Sequence, residues 1–116
     1  MHYMLMMYET PDAFAQRQGQ NAGEYWGAWS AYSAAIVEAG IFVSGNGLPS
    51  AESSTSLRFT ESGKSVQDGP FADSREQLGG YFIIDVPDLD TALEWAGRSP
   101  SLPGGGVEVR PVLSMS

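Results

Sequence analysis

The stretch GGYFIIDV, residues 79–86, places four large apolar side chains in an unbroken row. Successive side chains of a β-strand point to opposite faces, so a strand over this stretch is apolar on both faces. Such a strand belongs in the interior of a sheet, where both faces are covered. The stretch YMLMMY, residues 3–8, is also apolar at every position. We therefore predict two central strands, one at each of these stretches.

Two segments have the apolar spacing of helices. Over residues 22–39 the apolar side chains recur every three to four positions, after Asn21 as a predicted N-cap and before Gly40 as a stop. A second helix is predicted after Pro87-Asp88, with Gly97 at its end and an apolar stripe that consists of Leu89, Ala92, Leu93 and Ala96.

Shorter elements complete the pattern. Residues 41–44 and 107–110 read as short strands, and residues 10–20 read as a loop. The stretches TSLRFT and KSVQD flank Gly63 and predict a β-hairpin whose turn uses a positive φ at this glycine.

With the hairpin set aside, the order is βαββαβ, which predicts an α+β fold of the ferredoxin-like type. Both helices then cover one face of an antiparallel sheet. The opposite face is apolar in both central strands and has no further element in the chain to cover it. A second copy packed face to face covers such a patch, so we predict a homodimer.

Composition excludes several classes of function. The 116 residues contain six Lys or Arg, without a cluster, against 14 Asp or Glu, which argues against direct nucleic-acid binding. No apolar run is long enough for a membrane span, and the N-terminus does not read as a signal peptide, so we expect a cytoplasmic protein. One histidine, no cysteine and scattered carboxylates predict neither a metal site nor a cofactor.

The segment from Asp68 to Ala96, DGPFADSREQLGGYFIIDVPDLDTALEWA, with HYMLMMY near the start and GGGVEVRPV near the end, resembles the DGPF family of YciI-related proteins. The resemblance covers nearly the whole chain and implies one domain over residues 1–116. It also implies a dimeric α/β-barrel built from ferredoxin-like protomers. The wider superfamily contains small cofactor-free enzymes such as muconolactone isomerase and a chlorohydroxyquinol dehydrochlorinase.

Two further implications concern mechanism and partners. YciI proteins carry a proposed His–Asp pair with the histidine early in the first helix, whereas the single histidine here is His2. DGPF proteins are often encoded beside extracytoplasmic-function sigma factors, which implies a sigma-factor-linked regulatory protein as a partner.

The turn Asp68-Gly69-Pro70-Phe71 has two interpretations. In the structural one, Asp68 accepts backbone N–H bonds, the Gly-Pro pair shapes the turn and Phe71 plugs the core. In the functional one, Asp68 lies at the mouth of a cavity and acts as a base, with Glu76 as its partner and Arg75 as an anchor for an anionic substrate.

The first predicted helix is rich in aromatic residues. Trp26 and Trp29 belong to its apolar face, and such rings either fill a core or line a cavity for an aromatic ligand. The predicted ligand-binding set is Trp26, Trp29, Phe71, Arg75 and Tyr81.

Two classes of function remain. The first is a dimeric accessory or regulatory module that binds a small apolar or aromatic molecule in the barrel cavity. The alternative is a cofactor-free isomerase or lyase that uses Asp68 as its base.

Overall fold

The computed structural model describes residues 1–114 and has an α+β architecture. Its main sheet contains four strands, and the chain between the second and third of these strands forms a separate two-stranded hairpin. The helices are α1 (Pro11–Gln16), α2 (Ala22–Glu38) and α3 (Leu89–Gly97). The strands are β1 (His2–Glu9), β2 (Phe42–Gly47), β3 (Thr55–Thr60), β4 (Gly63–Asp68), β5 (Gln77–Asp85) and β6 (Gly106–Pro111).

The main sheet has the order β2-β5-β1-β6, and every neighbouring pair is antiparallel. The two strands predicted to be central, β1 and β5, are the two central strands. This order, with α2 between β1 and β2 and α3 between β5 and β6, is that of a ferredoxin-like fold, and it confirms the predicted fold class. Within residues 1–114, no helix is long and apolar enough to cross a membrane.

The core lies between one face of this sheet and the helices α2 and α3. Tyr3, Leu5 and Met7 alternate along β1 and are all buried on this face. They pack with Ile36 of α2 and with Ala92 of α3, both of which are fully buried. The small side chains of α3 allow this short helix to approach the sheet closely.

The opposite face of the sheet is the free face, which neither α2 nor α3 covers. Met4 lies beside Ile83 of β5, and Met6 lies beside Tyr81. All four side chains are partly exposed in the single chain. The two-sided apolar pattern of β1 and β5 therefore buries one face within the chain and leaves the other open.

The loop predicted over residues 10–20 was wrong in part, because residues 11–16 form α1. Thr10 caps this helix: its Oγ1 accepts a hydrogen bond from the Ala13 N–H at 3.3 Å, and Pro11 occupies the first turn. Burial of Ala13 and Phe14 holds the helix against the body of the protein. Asn21 precedes α2 as predicted, but its side chain makes no capping hydrogen bond.

The predicted hairpin is formed by β3 and β4, and Gly63 has the predicted positive φ, at +133°. Two hydrogen bonds tie the turn after β4 to the start of the hairpin. The Gly69 N–H donates to the Ser54 carbonyl at 2.7 Å, and the Ser56 hydroxyl donates to the Gly69 carbonyl at 2.7 Å. The prediction that Phe71 plugs the core was wrong, because its side chain is 60% exposed and stacks on Arg58.

Candidate functional site

A cavity of about 720 Å³ opens between α2 and the part of the main sheet formed by the edge strand β2 and its neighbour β5. One wall is a face of α2 that carries Trp26, Trp29, Ser33 and Val37. The opposite wall includes Phe42 at the start of β2 and Phe82 of β5, and Glu38 also lines the cavity. Cavities of this size and apolar character are typical of small-molecule sites.

Glycines of the sheet make room for the cavity. Gly45 and Gly47 of β2 and Gly79 and Gly80 of β5 all line it. At Gly45 the space that a Cβ would take is filled by the Phe82 ring, 2.8 Å away, whereas a Cβ at Gly47 would meet nothing within 4 Å. Since Gly45 and Gly47 are two residues apart in one strand, both face α2, and the open space above Gly47 belongs to the cavity.

A polar network closes one end of the cavity. The Arg17 Nη2 atom lies 2.6 Å from Glu9 Oε1, and the Tyr25 hydroxyl donates to Glu9 Oε2 at 2.5 Å. Arg17 also donates through Nε to the Tyr25 hydroxyl at 3.2 Å, and its guanidinium stacks on the Phe14 ring at 4.5 Å. Both oxygens of the Glu9 carboxylate are therefore engaged by side chains of this network.

The network changes the protonation behaviour of Tyr25 and Arg17. Burial, together with the hydrogen bond to Glu9, raises the pKa of Tyr25 to about 12, so its hydroxyl remains a donor at neutral pH. Burial alone would lower the pKa of Arg17, but its hydrogen bonds to Glu9 and Tyr25 outweigh burial and raise it. At neutral pH the Tyr25 hydroxyl is therefore protonated and the Arg17 guanidinium is charged.

A β-bulge places backbone in this network. The pairing of β1 with β5 shifts between Met7 and Tyr8, so that Gly79 is the extra residue on β5. The Gly79 carbonyl accepts hydrogen bonds from Arg17 Nη2 at 3.0 Å and from the Leu48 N–H at 2.9 Å. A Cβ at Gly79 would lie 2.5 Å from Glu9 Oε1, so only glycine fits beside the ion pair.

Three of the predicted ligand-binding residues border the cavity. Trp26 is 45% exposed and its indole N–H donates to the Arg17 carbonyl at 3.1 Å. Trp29 is more deeply placed and packs edge-to-face on Tyr32. Tyr81 also lines the cavity, although its pairing with Met6 directs its side chain to the free face, where its hydroxyl accepts a hydrogen bond from Asn46.

The structure does not bring the other predicted site residues to this cavity. Asp68 is exposed at the end of β4, opposite Thr55, and Glu76 is exposed just before β5. Phe71 lies beside the hairpin, and Arg75 lines a second, smaller cavity of about 290 Å³ with Thr10, Asp12 and Gln16. The roles suggested for Asp68 and Glu76 stay predictions, and neither side chain reaches the Trp26 and Trp29 wall.

Sequence reasoning did not select Glu9, Arg17 or Tyr25 as site residues. A signal for Glu9 was present, because it continues the alternation of Tyr3, Leu5 and Met7 and so falls on the buried face. A buried carboxylate requires a partner. The identity of that partner, Arg17, depends on the path of α1.

Among residues 1–114, no group of three or more His, Asp or Glu side chains is arranged to hold a metal ion. The chemistry of the cavity rests on its apolar walls and on the Glu9–Arg17–Tyr25 network.

Comparison with known proteins identifies the family. The model of the YCII-related domain matches residues 1–116. This chain belongs to the YCII-related domain family. An uncharacterized protein from Rhizobium meliloti (strain 1021) is 38% identical to this YCII-related protein over 87 residues, which are 72% of this chain and 68% of the relative.

Proposed function

We propose that this YCII-related protein is a binding module that holds a small apolar or aromatic molecule in the cavity between α2 and the strands β2 and β5. The observation that carries this proposal is the cavity itself, which has about 720 Å³ of space and an aromatic wall. Trp26 and Trp29 offer flat apolar surface to a ring, and Phe82 faces them from the sheet.

The engagement of Glu9 favours an accessory or regulatory role over catalysis. A general base needs a free lone pair directed at the proton it removes. Arg17 and Tyr25 each bond to one oxygen of the Glu9 carboxylate and hold it in place, so its remaining lone pairs are not free to turn towards a substrate proton. The alternative, a cofactor-free isomerase or lyase with Asp68 as its base, has weaker support because Asp68 does not line this cavity.

Gly47→Leu tests the proposal. A leucine at this position extends into open space within the cavity and meets no protein atom at its Cβ, so the fold is retained while the volume is filled. We expect a neutral aromatic probe to bind the unaltered protein saturably in ligand-observed NMR, and Gly47→Leu to weaken that binding at least tenfold.

Gly27→Leu is the matched control. Gly27 is exposed on α2, lies outside the cavity lining, and has nothing within 4 Å of an added Cβ. Binding should therefore be unchanged in this variant. Equal affinity of the probe for both leucine variants would contradict the proposal.

We further propose that the protein is a homodimer joined through the free face of the sheet. The partly exposed apolar side chains of this face support it: Met4, Met6, Tyr8, Tyr81 and Ile83. An interface of standard size buries about 1,600 Å² in total.

Analytical ultracentrifugation tests the dimer. Met6→Lys places a charge in the centre of the free face and should shift the protein to a monomer, whereas Leu93→Lys, on the exposed side of α3, should leave the dimer intact. A monomeric unaltered protein at micromolar concentration would refute the proposal.

A further inference from the structure

The charged side chains that line the cavity lie at its two ends. Glu9 and Arg17 form the ion pair at the closed end, and Glu38 lines the other end from the last turn of α2. At a rise of about 1.5 Å per residue, Glu38 lies about 18 Å beyond Trp26 along the helix axis. In the described part of the chain, no other charged side chain lines this cavity.

The cation at the closed end is already engaged. Arg17 pairs with Glu9 at 2.6 Å and also donates to the Tyr25 hydroxyl and to the carbonyls of Leu48 and Gly79. A carboxylate that enters the cavity loses part of its hydration, and it recovers that loss only from a charged or strongly donating partner. Since the charge of Arg17 is compensated, the cavity disfavours an anionic ligand.

Glu38 has the opposite character, because its carboxylate lacks a compensating cation. Among residues 1–114, no basic group lies within ion-pair distance of it, and the last turn of α2 contains no basic residue. The final carbonyl groups of a helix carry a partial negative charge, so an acid is unfavourable here and a cation beside it is favourable. This end of the cavity is therefore negative, and no side chain of the described residues balances it.

An aromatic ring stands beside this carboxylate. Phe42 begins β2 soon after the end of α2 and lines the cavity together with Glu38. Val37 and Phe42 are 57% and 43% exposed, so this end of the cavity opens to solvent. Aromatic faces attract ammonium groups, and a carboxylate among rings is a combination that binds organic ammonium ions.

Resting on the binding function proposed above, we propose that the ligand of this cavity is an arylalkylamine, whose ammonium group pairs with Glu38 while its ring packs against Trp29 and Phe82. Ser33, midway along the cavity wall of α2, lies about 7.5 Å before Glu38 along the helix axis. Because long side chains of a helix lean back over the preceding turn, an arm of two or three carbons connects a ring at this level to the Glu38 carboxylate.

Three probes of similar size and different charge test the ligand class. They are 2-phenylethylamine, which is protonated at pH 7, neutral 2-phenylethanol and anionic 3-phenylpropionate. In ligand-observed NMR titrations of the full chain, we expect the amine to bind roughly fivefold more tightly than the alcohol, since an ion pair open to water contributes only moderately. The acid should bind more weakly than the alcohol.

Glu38→Gln removes the charge and keeps the size of the side chain. In this variant the ratio of the affinities for the amine and the alcohol should fall to within about twofold of one. Glu24→Gln is the matched control, because Glu24 is exposed in the first turn of α2 and lies outside the cavity lining. Each variant removes one negative charge from the net charge of −8, so an unchanged ratio in Glu24→Gln assigns the preference to Glu38 and not to the overall charge.

The outcomes distinguish the two proposals. If none of the three probes binds saturably, the binding function itself is overturned, and the ligand class with it. If the probes bind but the amine is not the tightest, the ligand class alone is overturned. The same holds if the preference for the amine survives in Glu38→Gln, or if Glu24→Gln lowers it equally.

Discussion

Glu9 and Arg17 form an ion pair of 2.6 Å at the closed end of the cavity, with side chains that are only 8% and 12% exposed. The pair joins the end of β1 to the segment after α1, and the Gly79 carbonyl joins β5 to it. Together with the burial of Ala13 and Phe14, this contact holds the short α1 against the sheet.

Arg17→Met should lower the free energy of unfolding by about 3–5 kcal/mol, because it leaves the buried Glu9 carboxylate without a compensating charge. Arg110→Met is the control: Arg110 lies 3.6 Å from Glu108 in an exposed pair, and its loss should cost at most about 1 kcal/mol. Urea denaturation measures both. In the double variant Glu9→Gln/Arg17→Met, part of the lost stability should return. Similar losses of stability in Arg17→Met and Arg110→Met would contradict this account.

Gly79→Ala should destabilise the protein by about 1–3 kcal/mol, since the new methyl group would lie 2.5 Å from Glu9 Oε1 and 2.9 Å from Arg17 Nη2. Gly47→Ala, in the neighbouring strand with open space at its Cβ, should change stability by no more than about 0.5 kcal/mol. Thermal unfolding followed by circular dichroism compares them. Equal melting temperatures would mean that the ion pair moves aside without cost.

Gly69→Val should cost about 1–3 kcal/mol, because Gly69 has a φ of +97°, which a β-branched side chain rarely adopts. Asp68→Asn should have a smaller effect, since Asp68 is exposed. Denaturant unfolding of both variants checks the order. A larger loss in Asp68→Asn would show that the charge of Asp68 matters more than the backbone of the turn.

Stability should fall between about pH 10 and pH 12. Burial raises the pKa of Tyr25 and of Tyr32 to about 12 in the folded chain, against an ordinary value of 10.0. A raised folded-state pKa stabilises the fold fully below the unfolded-state pKa, and this contribution is lost as the pH rises through the folded-state value. The measurement is the free energy of unfolding at several pH values.

Replacement of both tyrosines by phenylalanine supplies the control for that measurement. The double variant Tyr25→Phe/Tyr32→Phe should show a flatter decline over the same pH range, although it also loses the hydrogen bonds to Glu9 and to the Trp95 carbonyl. An unaltered slope would assign the alkaline transition to other groups.

Much of the fold could be predicted because it follows from local periodicity. The apolar runs at residues 3–8 and 79–86 form β1 and β5, and the helical spacing over residues 22–39 forms α2. The hairpin follows from alternation around Gly63. The short α1 was missed, because six residues contain too little periodicity and its stability depends on burial of Phe14.

The sequence by itself determined the element order, the two central strands and the aromatic character of α2, since each depends on neighbouring residues within one element. Only the tertiary structure decided which of those residues form a site. Strand pairing and the bulge at Gly79 bring Glu9, Arg17 and Tyr25 together, whereas Asp68 and Phe71 remain with the hairpin. Side chains far apart in sequence meet through the packing of whole elements, and no local pattern encodes those distances.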